Sequence, residues 1–242
     1  MKIDFSRGAW NTDEVTYAYT YRFPGTPEFH QTDDCVENRP DDTCKFGCNW
    51  ENISLLTRNT YTAGTRIAVR CAFFDLGAPL ITIADRIYDE NGEYKYGDYI
   101  EVVLYKNGVN VWRMQMDENK IVTWMKMLGV EFPVSEGDIH TLAVDMTKDG
   151  LRIEADEHRM FWRCEDLYES FHLGIDACEG LNRFYSMEIP KLKTKVFCPT
   201  DCRRISLPQS VFSLFDCAEQ RDDENFTKFC ITSCKATQFM VR

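Results

Sequence analysis

The stretch YIEVVLYKNGVNVWRMQM, residues 99–116, decides the fold of this chain. Two alternating runs flank Lys106-Asn107-Gly108, and Asn-Gly between such runs is a strong hairpin signal. With Asn107 and Gly108 as the turn, Lys106 faces Val109 and the pairing follows outward by counting. One face then carries Ile100, Val102, Leu104 and Val111, an ordinary core set. The other carries Tyr99, Glu101, Val103 and Tyr105 beside Asn110, Trp112 and Met114. A strand this apolar on both faces is expected to be central in its sheet, covered or concave on both sides. A carboxylate set among Tyr and Trp makes the second face a candidate ligand-binding surface.

Working outward, strand signals follow one another with almost no helical periodicity. Val15, Tyr17, Tyr19, Tyr21 and Phe23 alternate with polar or small partners until Pro24-Gly25-Thr26-Pro27. Residues 33–50 form a polar, cysteine-bearing loop. Ile67, Val69, Cys71 and Phe73 then alternate with Arg66, Ala68, Arg70 and Ala72, and an apolar run covers residues 80–88. After the central hairpin comes IVTWMKM, residues 121–127. A second hairpin, residues 140–155, turns around Asp149-Gly150, with Leu142, Val144 and Met146 inward against Leu151, Ile153 and Ala155. Regular strands separated by turn signals predict an antiparallel sandwich or barrel. Helix is expected only in short pieces, such as residues 164–170 and parts of the tail.

Composition narrows the function classes. A hydrophobic fraction of 44% and an aromatic fraction of 13% supply a substantial core in 242 residues. The net charge of −11 argues against a nucleic-acid or anionic-membrane partner, since either normally demands a basic surface. No stretch approaches the roughly 18 apolar residues of a membrane span. The N-terminal MKIDFSRGAW has no apolar signal core, so the sequence as it stands reads as cytoplasmic; a trimmed chain would be read as extracellular.

Eleven cysteines, an odd count without a signal peptide, favour free thiols in a reducing compartment. Two CxxxC pairs in the tail, Cys198/Cys202 and Cys230/Cys234, permit a structural zinc without requiring one. Buried inert thiols are the favoured reading, and no cofactor is expected. His30, His140, His158 and His172 are scattered and form no metal pair. The acidic loop 33–42 reads as exposed carboxylate rather than a calcium site. No nucleophile elbow, phosphate loop or dinucleotide fingerprint occurs.

The order of motifs resembles the concanavalin A-like lectin/glucanase superfamily, a jelly-roll β-sandwich. DFSRGAW resembles a first strand beside the last, and GTRIAVRCAFF with GAPLITIAD resembles that fold's paired long strands. HTLAVDMTKDGLRIEADEHRMFW resembles its hairpin, and FHLGIDACEGLNRFYSMEI its closing strand. The resemblance covers residues 1–190 and implies an all-β, two-sheet antiparallel jelly roll there. Residues 191–242 are expected to be a cysteine-rich C-terminal extension packed on the sandwich. It also implies that carbohydrate is bound or cleaved on the concave sheet. Retaining glucanases of the superfamily carry E-x-D-x-E or E-x-D-x-x-E on one strand; here Glu154-Ala155-Asp156-Glu157 lacks the third acid, so a solvated strand face explains it better.

Three functional expectations follow. The first is a carbohydrate-binding sandwich using Tyr99, Glu101, Tyr105, Asn110, Trp112, Trp124 and Lys126, since sugar rings stack on Trp and Tyr while their hydroxyls need acids and amides. The second is a glycoside hydrolase or lyase with Glu101 as catalytic acid or base. That needs a second carboxyl about 5–9.5 Å away. None stands at a defensible position on the same face, although Asp145 is a candidate for the same sheet surface. Glu101 pairing with Arg70 or Arg113 is the alternative to both. The third expectation is a structural or protein-interaction module whose aromatic face is covered by the tail, with Trp112 and Trp124 almost fully buried.

Overall fold

Alternation with period two recurs along the longer strands of the computed structural model and puts one side of them in a shared core. The structure describes residues 1–8, 13–23, 25–39, 52–177, 179–190 and 238–239. In chain order the strands are β1 (Lys2–Asp4), β2 (Val15–Thr20), β3 (His30–Gln31), β4 (Val36–Glu37), β5 (Ile53–Thr57) and β6 (Arg66–Phe74). Next come β7 (Pro79–Ala84), β8 (Tyr88–Glu90), β9 (Glu93–Tyr96), β10 (Tyr99–Tyr105), β11 (Gly108–Met116) and β12 (Val122–Glu131). The rest are β13 (His140–Thr147), β14 (Gly150–Ala155), β15 (His158–Arg163), β16 (His172–Ala177), β17 (Leu181–Glu188) and β18 (Gln238–Phe239).

Two curled sheets form a sandwich. The first has the order β15-β14-β13-β6-β17-β4-β3, with β1 also pairing onto β17. The second has the order β18-β12-β11-β10-β7-β16-β5-β2-β9-β8. Neighbours are antiparallel except β2 and β9, which run parallel at Tyr19–Lys95 and Thr20–Tyr96. Between the sheets lies a continuous core built from Ile67, Val69 and Phe73 of β6, Ile81 and Ile83 of β7, Ile100, Val102 and Leu104 of β10, and Leu142, Val144 and Met146 of β13. Each such side chain, fully removed from water, contributes about 1.5–3 kcal/mol.

The central hairpin keeps the expected faces but shifts its turn. Tyr105 pairs Gly108, so Lys106-Asn107 form the turn and Glu101 stands opposite Trp112. Gly108 takes φ +126°, which an L side chain rarely adopts, so the glycine follows the turn instead of filling it. Because the register moved by an even step, no side chain changed face. The second hairpin repeats the arrangement: Thr147 pairs Gly150, and Leu142, Val144 and Met146 oppose Ala155, Ile153 and Leu151.

Other expectations need correction. Residues 66–74 and 79–84 are not paired with each other; β6 belongs to the first sheet and β7 to the second, so the chain crosses the sandwich between them. The closing segment is likewise two strands, β16 and β17, one in each sheet. The alternating run from Val15 leaves strand geometry after Thr20. Residues 164–170 are turn and irregular; the helical piece among the described residues is one 3₁₀ turn, Phe5–Arg7, capped by Asp4 Oδ1 accepting from the Ser6 N–H. β1 does lie beside the last long strand, with Lys2 opposite Glu188.

Cys198, Cys202, Cys230 and Cys234, with the zinc they permit, lie outside the described residues, as does most of the 191–242 extension. Within it, the backbone of Gln238–Phe239 pairs β12 at Trp124 and Met125. The described cysteines Cys35, Cys71 and Cys164 are buried free thiols.

Candidate functional site

The site is built from the side of the second sheet that faces away from the sandwich core. Strand pleating sends Tyr99, Glu101, Val103 and Tyr105 of β10 to that side. Across the sheet, one row reads Lys126, Trp112, Glu101, Thr82, Gly174 and Leu56. A neighbouring row brings Trp124, Met114, Tyr99, Ala84 and His172 together. All seven residues expected to bind ligand therefore occupy β10, β11 and β12 on one face, helped by a bulge at Val111/Trp112 that realigns β12.

Their exposure differs. Tyr99 is fully buried and Glu101 is 4% exposed. Tyr105, Asn110, Trp112 and Trp124 are half-buried, and Lys126 is exposed. The covered-face alternative expects near-complete burial of both tryptophans, and they do not reach it. Tyr99 instead anchors a small apolar cluster with Tyr96, Met114, Leu56 and Ala18, against which both tryptophans pack. Its ring meets Tyr96 edge-on at 4.8 Å, and its hydroxyl shares a 3.2 Å hydrogen bond with Thr20 Oγ1.

Glu101 does not pair with Arg70 or Arg113. Arg70 is on β6 in the other sheet, and Arg113 binds Asp166 at 2.7 Å. Glu101 Oε1 is buried with no hydrogen-bond partner among the described residues. Burial dominates its titration and the nearby Asp176 charge adds to it, against the pull of Arg22, so its carboxyl is pushed up to about 8. The shift favours the protonated acid, a hydrogen-bond donor as well as an acceptor.

Asp176 is the acid that sequence reasoning missed. It lies in β16, two strands from Glu101 and two residues further along, on the same face; sheet spacings put the two Cα atoms about 12 Å apart. Asp145, the earlier candidate, is on β13 in the other sheet and pairs with Arg66 at 2.7 Å. Glu154 joins that same arginine, so it is a member of an ion-pair network on the first sheet.

Asp176 is fully buried and enclosed by donors. Ser54 Oγ donates to Oδ2 at 2.5 Å, Asn52 Nδ2 spans both oxygens at 2.9 and 3.0 Å, and the Tyr96 hydroxyl lies 3.1 Å from Oδ2. Thr82 Oγ1 adds a long contact at 3.4 Å. These bonds favour the charged form, but burial outweighs them and holds its carboxyl above the ordinary range. Its expected signal was present: in HLGIDA, Leu173, Ile175 and Ala177 are core, so Asp176 must point the other way.

Arg22, which no sequence signal marked, reaches this face from the turn after β2. Its guanidinium lies 4.1 Å over the Trp124 ring and 4.6 Å from the Phe23 ring. Lys126 Nζ lies 6.0 Å over Trp112. Among the described residues no three His, Cys, Asp or Glu side chains converge as a metal site.

The architecture is a two-sheet β-sandwich. The chain is similar in fold to the carbohydrate-binding module CBM66 from Bacillus subtilis, at 10% identity over 72% of this chain and 96% of that one, with a TM-score of 0.50. It is likewise similar to LamAcat from Zobellia galactanivorans, at 11% identity over 79% and 96%, with a TM-score of 0.52. The β-porphyranase BpGH16B from Bacteroides plebeius matches at 8% identity over 78% and 88%, also with 0.52. No protein-family model matches the sequence, and no curated protein sequence matches it.

Proposed function

We propose that this chain is a carbohydrate-binding protein of the concanavalin A-like jelly-roll class, using the concave face of the second sheet. The observation that carries the reading is one continuous patch of β10, β11 and β12. Half-buried Trp112 and Trp124 stand there beside Asn110, Lys126 and the unpartnered acid Glu101. Such a mixture suits sugars, which offer apolar C–H faces to aromatic rings and hydroxyls to amides and acids. Likeness to a carbohydrate-binding module and to a β-porphyranase supports the class at the level of fold. A glycan array identifies a ligand, and titration of Trp112→Ala against that ligand tests the site. Loss of affinity of about tenfold or more is expected in a variant shown by circular dichroism to be folded at the assay temperature. Undiminished binding would remove the site.

A hydrolase with Glu101 as general acid is the second reading, favoured by the proton that Glu101 keeps at neutral pH. The difficulty is the partner. Asp176 is fully buried and enclosed by Ser54, Asn52 and Tyr96, so a sugar or a water would have to displace them to reach it. Binding without hydrolysis is therefore the stronger reading. Cleavage of a bound glycan that Glu101→Gln abolishes would reverse that order.

A further inference from the structure

Two cations stand on the tryptophan face of a chain whose net charge is −11. Arg22 and Lys126 each sit over a ring, and neither has a carboxylate within ion-pair distance among the described residues. Arginine stacked on an aromatic ring keeps its in-plane N–H groups free, and these fit a carboxylate or sulfate in a two-pronged contact. Arg22 lies between the Trp124 and Phe23 rings, which fixes its plane. The guanidinium lies over one face of Trp124, so a ligand on that side meets the cation together with the ring.

Lys126 is held in a comparable way. It curls over Gly129, where an added Cβ would stand 2.7 Å from its Nζ and 3.0 Å from Asn110 Oδ1. Glycine at 129 thus leaves the hollow that the lysine fills, above Trp112 and next to the amide. Glu101, opposite Trp112 in the same row, closes the site from the other side.

We infer that the ligand of this face is an anionic glycan, a sugar chain bearing carboxylate or sulfate groups that Arg22 and Lys126 engage from above the two tryptophans. The inference rests on the carbohydrate-binding reading and adds the charge of the ligand to it. The acidic groups within electrostatic reach of Arg22 are Glu101 and Glu179, with Asp176 beyond Glu101 on the same face. Asp176 is spent on its own donors, and burial raises the carboxyl of Glu179 as it does that of Glu101. None of these is in ion-pair contact with Arg22, so its N–H groups are not taken by a carboxylate among the described residues. A negatively charged protein repels polyanions in general, so binding of one requires a local site of this kind.

The test uses the full chain and two matched polymer sets: dextran, carboxymethyl-dextran and dextran sulfate, and hydroxyethyl cellulose, carboxymethyl cellulose and cellulose sulfate. The expected result is that, on at least one backbone, a charged derivative binds at least about tenfold tighter than its neutral parent, with affinity falling as salt rises. The carboxymethyl and sulfate arms tell which anion is preferred. Arg22→Gln and Lys126→Gln each weaken that binding about tenfold or more, and Arg22→Lys recovers part of it. Lys126 is an exposed strand residue, so its variant keeps the test valid if changes at Arg22 disturb folding. Neutral parents that bind as well as their charged derivatives would overturn the inference and leave carbohydrate binding standing. Polymers that all fail to bind would overturn both.

Discussion

Replacing Glu101 by Gln removes a titration that the fold makes unfavourable, and the consequence can be worked from the site. Glu101 is 4% exposed, with one carboxyl oxygen unpartnered, and burial pushes its carboxyl up to about 8 from an ordinary value near 4.5. In the unfolded chain the same carboxyl ionises near that lower value. Between the two, the native state binds the extra proton, so stability is greatest below about 4.5 and falls as pH rises towards 8. The slope is about 1.4 kcal/mol per pH unit, or about 2–3 kcal/mol between pH 5 and pH 7. For a domain of this size that corresponds to a shift of about 5–10 °C in Tm. Urea or thermal unfolding of the wild type and Glu101→Gln across this range reads the effect of the Glu101–Asp176 pair, since groups away from it titrate equally in both. The gap between them should move by about 2–3 kcal/mol in favour of the Gln variant from pH 5 to pH 7. Parallel profiles would mean that Glu101 is ionised in the native protein, and the argument for a neutral acid on this face would fall.

Two further outcomes follow from the packing. Gly108→Ala and Gly150→Ala should each cost about 1–3 kcal/mol in chemical denaturation from backbone strain alone, with more from overlap. Each has positive φ, and an added Cβ would lie 2.0 Å from Val130 O or Trp162 O; Gly92, also at positive φ, has nothing within 4 Å and should cost less. A neutral Gly108→Ala would refute that account. Burial pushes the Cys71 thiol up to about 12, so iodoacetamide at pH 8 should modify it in urea and spare it in the native protein, as read by peptide mass spectrometry. Rapid native labelling would contradict its position in the core.

Much of the fold was legible in local pattern. Alternation assigned Ile100, Val102 and Leu104 to the core and Glu101 to the opposite face, and it did so correctly even though the turn lies one residue earlier than Asn-Gly suggests. Period two is a property of the strand alone, so faces survive an even shift of register. The second hairpin was readable for the same reason. Pairing between distant strands was not. Residues 66–74 and 79–84 look like natural partners because they are consecutive, yet each finds its neighbours in a different sheet.

The sequence by itself determined which side chains share a strand face and where the chain turns, because pleating and turn chemistry act within a few residues. Only the tertiary structure decided which strands lie side by side. That order put β7 between β10 and β16, brought Asp176 onto the face of Glu101, and carried Arg22 across to Trp124. It also decided that Glu101 keeps its proton, since desolvation depends on everything packed around the carboxyl and not on its neighbours in the chain.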